Sequence, residues 1–345
     1  MGTTKLLIRP VKMADLDAIC EVATLLGPGF NSLPKDPNAI SAKIKRSLET
    51  FSSHQTEQGI YFFVLEENDK VIGTSAVELD INHNNPFYCY LLTHVVQQSH
   101  ALKEPITQSN KVLLLVNHFP KASLFCTLYL NPNYRGQGRG TFLSRARALF
   151  IAEFPDSFSQ MLVADMQGVY DANGISPFWN AVSQHFYEMD FATANKNYAM
   201  YGSQFISDLN PHYPIYVAML PNEAQEVLGK PHAGTKPAVH VLEKEGFMQR
   251  ENYSIFDGGP ILEVRKNELN TVKHSLKVQV IGLKKKCENS EIKMICNTKK
   301  VDFRATLGVI DFGAGQENNK VFLEEALALQ LNVSVGDFIR MISFR

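Results

Sequence analysis

Three glycines at alternate positions, Gly136, Gly138 and Gly140, stand between an apolar run, Leu124 to Leu130, and a stretch in which Phe142, Leu143, Ala146, Leu149 and Phe150 recur at helical spacing. Strand, glycine-rich turn and helix in that order constrain the fold more than any other feature of the chain. Glycines let the backbone approach an anion closely, and the free N–H groups at a helix start carry partial positive charge. The full stretch is YRGQGRG, Tyr134 to Gly140, so Arg135 and Arg139 add charge and Gln137 a polar side chain. The spacing G-x-G-x-G departs from the G-x-G-x-x-G of dinucleotide-binding folds, and the Gly-Lys-Ser/Thr of a P-loop is absent. That spacing disfavours a nicotinamide oxidoreductase. A tight strand-to-helix turn with solvated arginines is the plainer alternative.

The elements around the turn define the context. Leu6 to Val11 reads as a strand, Ala14 to Leu26 and Asn38 to Phe51 as helices, and Gly27 to Pro34 as the corner between them. Ile60 to Leu65 and Val71 to Leu79 read as a hairpin across the polar turn Glu66 to Lys70. Ile81 to Asn110 is polar and reads as an irregular insertion with a strand near Tyr88 to Val96; Val112 to Val116 is the next strand. Gly140 to Phe154 reads as an amphipathic helix ended by Pro155, followed by a strand at Met161 to Ala164. Two segments, Ser176 to Phe191 and Thr235 to Phe247, look alike and point to an internal pseudo-repeat. From Ser275 the chain is Lys-rich with short strands, so the expected organisation is residues 1–270 as one domain and 275–345 as a small β-rich one.

Bulk properties remove several classes. With 34 Lys and Arg against 35 Asp and Glu there is no global field to draw in nucleic acid or an acidic membrane. No run approaches the roughly 18 apolar residues of a bilayer span. The five cysteines are scattered, without C-x-x-C pairing or a nearby His cluster, so no metal site is expected and a reducing, cytoplasmic setting fits.

The run Arg135 to Gly140 resembles the coenzyme-binding turn of the GCN5-related N-acetyltransferase superfamily, whose order of elements this chain also follows. Longer blocks resemble one family within it, the arginine/ornithine N-succinyltransferases. They are IRPVKMADL, GPGFNSLP, SLFCTLYLNPNYR, ISPFWNAVSQHFYEMDF, HYPIYVAMLP, VLGKPHAGTKPAVHVLEKEGF and IFDGGPILEV, spanning about residues 6 to 265. The resemblance implies a mixed, mostly antiparallel sheet flanked by helices, an α+β arrangement. It implies transfer of succinyl from succinyl-CoA, a co-substrate and not a permanently bound cofactor, to the α-amine of L-arginine. It also implies that Leu128, on a bulged strand, contacts succinyl-CoA and that His232 is the proton donor. The wider superfamily's Tyr slot is filled here by Leu242, and in the earlier look-alike segment by Phe186 beside Tyr187. Histidine suits the vacant role because its type changes charge near neutrality.

An arginine substrate needs carboxylates for its guanidinium, and Glu78 and Asp257 are the candidates. Asn31 and Ser32 lie in the corner that lines the acceptor side. Read without the resemblance, Glu78 is a solvated strand residue, Asp257 a turn former, His232 a loop residue, and Asn31 and Ser32 loop caps. Gln167 stands where the family pattern has Arg, and the Ile81 to Asn110 region diverges, so ornithine or another amine stays open as the acceptor. Acetyl-CoA stays open as the donor, and so does a role as a non-catalytic acyl-CoA-binding subunit. Assembly as a homo-oligomer or with a paired family subunit is equally unfixed by the sequence.

Overall fold

The computed structural model describes residues 5–27, 32–53, 57–82, 86–101, 103–201, 204–210, 212–312 and 319–344. Chain order begins β1 (Leu6–Pro10), α1 (Leu16–Thr24), α2 (Pro37–Ser52), β2 (Ile60–Glu67) and β3 (Lys70–Glu78). Asp36 starts α2 by accepting the Asn38 amide at 3.2 Å, with Pro37 at the first helical position, where its missing N–H is harmless. Asn68 and Asp69 both take positive φ, 51° and 63°, which gives the β2–β3 hairpin its tight turn. A buried ion triad ties these elements together. Arg9 of β1 donates to both Asp15 oxygens at 2.8 Å and, through Nε, to Glu66 of β2 at 2.9 Å.

Next come β4 (Cys89–Ser99) and β5 (Ile106–Val116), paired in unbroken register from Cys89↔Val116 to Ser99↔Ile106. The expected irregular insertion is thus largely a regular hairpin. Its outer half is largely exposed on both faces and mostly polar, with Val95, Val96 and Ile106 the apolar exceptions, which weakens the alternation that marks a half-buried strand. Then follow β6 (Ala122–Leu130), α3 (Arg139–Glu153), β7 (Met161–Asp165), β8 (Ile215–Tyr216), β9 (Met248–Tyr253) and β10 (Pro260–Arg265). The C-terminal strands are β11 (Leu276–Lys284), β12 (Lys293–Asn297), β13 (Ala305–Gly308), β14 (Ile310–Phe312), β15 (Lys320–Glu324) and β16 (Phe338–Ser343).

All these strands join one sheet in the order β14-β15-β11-β16-β12-β13-β1-β2-β3-β6-β7-β10-β9-β4-β5-β8. Only β6–β7 and β11–β15 pair in parallel. The C-terminal strands meet the rest where Ala305 pairs with Ile8, and Phe303 enters the aromatic core of Phe51, Tyr61, Phe63, Phe150 and Phe158. They also carry an apolar cluster of their own around Val278, Ile295, Leu323 and Ile339.

Helix α3 departs from the expected amphipathic pattern. Every residue from Phe142 to Ala152 is buried, because the sheet covers one side while helices Lys236–Lys244 and Asn270–His274 and strands β12 and β16 cover the other. The two look-alike segments also fold differently. Pro177–Ala181 and Gln184–Tyr187 are separate short helices in one apolar cluster, whereas Lys236–Lys244 is a single helix packed on the main core. Among the described residues no helix is long and apolar enough to cross a membrane.

Candidate active site

Strand β6 breaks its register against β3 between Tyr129↔Thr74 and Cys126↔Ala76, so Thr127 and Leu128 together oppose Ser75. This is a β-bulge, and Thr127 sits in it at φ 55°, a conformation β-branched residues avoid. Side chains from three elements hold it there. Thr74 Oγ1 donates to the Thr127 carbonyl at 3.0 Å, the Thr127 amide donates to Ser32 Oγ at 3.1 Å, and Lys43 Nζ donates to Thr127 Oγ1 at 2.9 Å and to the Ser32 carbonyl. Ser32 and Leu128, singled out separately in the sequence, therefore meet at one point. Asn31 lies outside the described residues. Thr127 and Lys43 were not foreseen.

The bulge lies where a slot opens between β6 and β7. They pair only from Ala122↔Met161 to Leu124↔Val163; β6 then runs on to Leu130 while β7 stays with β10. Among the described residues the β6 edge past Leu124, Leu128 included, has no ladder partner on its β7 side. An extended, amide-bearing chain can pair with such an edge as an added strand does.

At the end of β6 the chain turns left-handed through Gly136 (φ 102°), Gln137 (φ 51°) and Gly138 (φ 77°), and Gly138 opens α3 without a side-chain cap. Among the described residues the Gly140 and Thr141 amides have no acceptor, so the helix start offers N–H groups to an anion. A side chain at Gly138 is excluded twice over, by its φ and by the Phe344 ring 2.8 Å from where a Cβ would lie. Arg135 is exposed and available. Arg139 is less free than its place in the turn suggests: its guanidinium is half-buried and held by Glu67, with Nε at 2.9 Å, so its charge is matched within the chain.

The facing wall follows β7. The His232 amide donates to the Gln167 carbonyl at 2.8 Å, and its ring stacks on Tyr170 with centroids 4.6 Å apart and planes 7° from parallel. Its Nδ1 accepts the Gly234 amide at 3.2 Å, which leaves the imidazole proton on Nε2. Tyr170, also unforeseen, reaches back to the corner: its hydroxyl lies 3.3 Å from where a Cβ on Gly27 would stand. Gly27 thus lies beside Tyr170, and Ser32 on the bulge, so each wall is touched by one of these two residues. Gln167 Oε1 accepts from Thr235 at 3.2 Å, beside His232. Leu242 is a core residue, and Tyr187 is buried in the second apolar cluster with its hydroxyl directed to Ile206, so neither supplies an acid here.

The two carboxylate candidates fare differently. Glu78 is half-buried and paired with Arg46 at 2.8 Å, already neutralised by a cation of the chain. Asp257 is buried and accepts the Gly259 amide at 3.0 Å and that of Gly168, so it braces the loop that positions Gln167 and His232 and does not line the cleft. Its neighbour Asp165 ends β7. Burial first, and the charge of Asp257 second, push the Asp165 carboxyl up to about 8; burial pushes Asp257 up to about 6 against its hydrogen bonds. A carboxyl whose folded-state pKa exceeds its unfolded value of about 3.9 favours folding most when protonated. Stability from this pair is therefore complete below about pH 4 and is lost as pH rises through 6 and 8. The melting temperature of the wild type should fall over that range, and Asp165→Asn should remove most of the slope in melts at constant ionic strength; an unchanged slope would assign it elsewhere. Among the described residues no group of three or more His, Cys, Asp or Glu is placed to hold a metal.

With its bulged strand edge, two diverging parallel strands and a left-handed glycine turn at a helix start, the chain is an acyltransferase. The chain belongs to the arginine N-succinyltransferase family. A family model described as arginine N-succinyltransferase beta subunit matches residues 6–271, and one for its C-terminal domain matches residues 285–343. Proteins named arginine N-succinyltransferase from Yersinia pestis and Salmonella paratyphi B are 37% and 36% identical to it, over 97% of this chain and 97% and 96% of theirs. The solved structure of arginine/ornithine succinyltransferase subunit AI from Pseudomonas aeruginosa superposes with a TM-score of 0.89 at 30% identity, covering 99% of this chain and all of that one.

Proposed function

We propose that the chain transfers the succinyl group of succinyl-CoA to the α-amine of L-arginine, giving N2-succinyl-L-arginine and CoA. Beside the names of its relatives, the observation that carries this reading is the setting of His232: Nδ1 accepts the Gly234 amide and the ring stacks on Tyr170, so Nε2 is the nitrogen left to donate. A neutral amine attacks the thioester carbonyl, negative charge gathers on its oxygen, and the thiolate leaves. The bulge at Leu128 supplies backbone N–H groups to that oxygen, His232 Nε2–H donates a hydrogen bond to the departing sulfur, and the proton shed by the attacking amine is the one the thiolate takes up, so that the ring ends as it began. The diphosphate of the donor rests on Gly136 to Gly140, with Arg135 supplying charge and Gln137 lying within the turn. In the same reading Ser32 and Asn31 border the amine, residues 1–270 are the transferase body and residues 275–345 a smaller unit that braces it. The reaction is cytoplasmic, and a homo-oligomer or a paired family subunit is the expected assembly.

Ornithine is the second reading. It is favoured by Gln167, a neutral residue next to His232 where the family resemblance has Arg. An acceptor screen with succinyl-CoA over arginine, ornithine, lysine and their decarboxylated amines tests both. The highest kcat/KM is expected for arginine, with agmatine, which lacks the α-carboxylate, poor. A clear preference for ornithine would transfer the assignment to the second reading, and no acceptor-dependent CoA release from any of them would remove it.

A further inference from the structure

Helix α3 carries three arginines whose side chains are largely removed from water. Arg139 is matched by Glu67. Arg145 is matched by Glu245, which is itself held by the Thr271 amide at 3.0 Å and hydroxyl at 2.8 Å, and Arg145 also reaches the Phe344 carbonyl at 3.0 Å. Arg147 is the most buried, 1% exposed, and among the described residues no carboxylate lies within ion-pair distance of it. Among the described residues its hydrogen bonds go only to its own helix, Nε to the Ser144 carbonyl at 3.1 Å and one terminal nitrogen to Ser144 Oγ at 2.8 Å, and the rest of its fork makes none.

A buried cation without a counter-ion is costly to keep. Burial lowers the Arg147 pKa to about 9, and the group stays charged at neutral pH. Its place says what the charge faces. The guanidinium lies 4.5 Å from the Phe125 ring centroid, and Phe125 is the first β6 residue past the last β6–β7 pair, Leu124↔Val163. Helix α3 crosses from the end of β6 to the start of β7, so it runs back along β6 and returns Arg147 to the level of Phe125, where the two strands part. Leu128, on the slot wall, is three residues further, roughly 10 Å along the strand. The far carboxylate carbon of a succinyl group lies roughly 4 Å beyond its thioester carbon. A charged hydrogen bond of about 2.8 Å closes much of the remainder.

We propose that Arg147 receives the terminal carboxylate of the acyl chain and thereby selects a succinyl thioester over a neutral one. The inference rests on the succinyl transfer proposed above. It accounts for the missing counter-ion: the substrate supplies it, and the guanidinium's free N–H groups accommodate both carboxylate oxygens. It also explains why α3 tolerates an unmatched charge in its most buried stretch, a stability cost retained for function.

The test compares succinyl-CoA with butyryl-CoA, which has the same four-carbon chain and no carboxylate, in wild type, Arg147→Met and Arg147→Lys. Wild type is expected to favour succinyl-CoA in both kcat/KM and calorimetric affinity. In Arg147→Met the succinyl-to-butyryl ratio of kcat/KM should fall on the order of 100-fold, while the melting temperature of the unliganded protein holds or rises because the unmatched charge is gone. In Arg147→Lys the ratio should fall less. A wild-type preference that survives in the variants overturns the role of Arg147 alone, and so does an equal loss with both donors. If Arg147→Met does not fold, the proposal stands or falls on the ratio in Arg147→Lys. A wild type without preference for succinyl-CoA overturns the donor assignment as well, before any variant is considered.

Discussion

His232→Ala is expected to lower kcat by roughly 100- to 1,000-fold, the usual range for removing a positioned proton donor, while leaving succinyl-CoA affinity near the wild-type value. The split follows from where the groups stand. In the proposed reading the donor is gripped on β6 and the glycine turn, whereas His232 is tied to Gln167, Gly234 and Tyr170 on the other side. A free thiol titrates near 8.5, so a departing thiolate is a tolerable leaving group and some turnover survives without an acid. The variant loses a stacking contact and one hydrogen bond, on the order of 1–2 kcal/mol, which a folded chain of this size absorbs. Single-turnover rates and calorimetry of succinyl-CoA separate the two quantities. A folded variant with wild-type turnover removes His232 from the chemistry, and a fall in affinity matching the fall in rate reassigns it to binding.

Arg9→Ala is expected to have the largest effect on stability, a loss of about 3–5 kcal/mol. The guanidinium is the only cation that meets both Asp15 and Glu66 among the described residues, and all three side chains are almost fully buried. Removing it leaves two carboxylates close together in a poor dielectric. One of them, Asp15, also accepts the Lys12 amide at 2.7 Å and so holds the entry to α1. Chemical denaturation with an unchanged m-value should report the loss. Arg9→Ala together with Asp15→Asn and Glu66→Gln should recover part of it, because the stranded charges are then gone. A single variant within 1 kcal/mol of wild type would show that the triad is solvated in solution.

The parts of the site legible in the sequence were those set by local backbone chemistry or carried by long blocks of resemblance. Glycines at 136 and 138 are required by positive φ, and the strand, turn and helix around them follow from apolar periodicity. Ser32 and Leu128 could be singled out, but their meeting through Thr127 could not. A threonine at positive φ violates its own preference, and only the tertiary bonds from Thr74, Ser32 and Lys43 hold it. Helix α3 misled for a related reason. Its arginines look like a solvated stripe, yet strands formed from residues 293–297 and 338–343 cover that face, and no local signal in residues 139–153 anticipates them. Asp257 takes the turn-forming position that an Asp before two glycines ordinarily takes, and it is buried. Arg147 could not be singled out in the sequence because its burial away from any carboxylate among the described residues is a property only the packed structure defines.

The central claim is tested most directly by identifying the product formed by the chain expressed alone with succinyl-CoA and L-arginine. The account predicts one CoA released per arginine consumed and a single product succinylated on the α-nitrogen, assigned by mass spectrometry and by the NMR shift of the α-proton. Succinylation at the guanidinium, faster transfer from acetyl-CoA, or CoA release that is indifferent to arginine would contradict it.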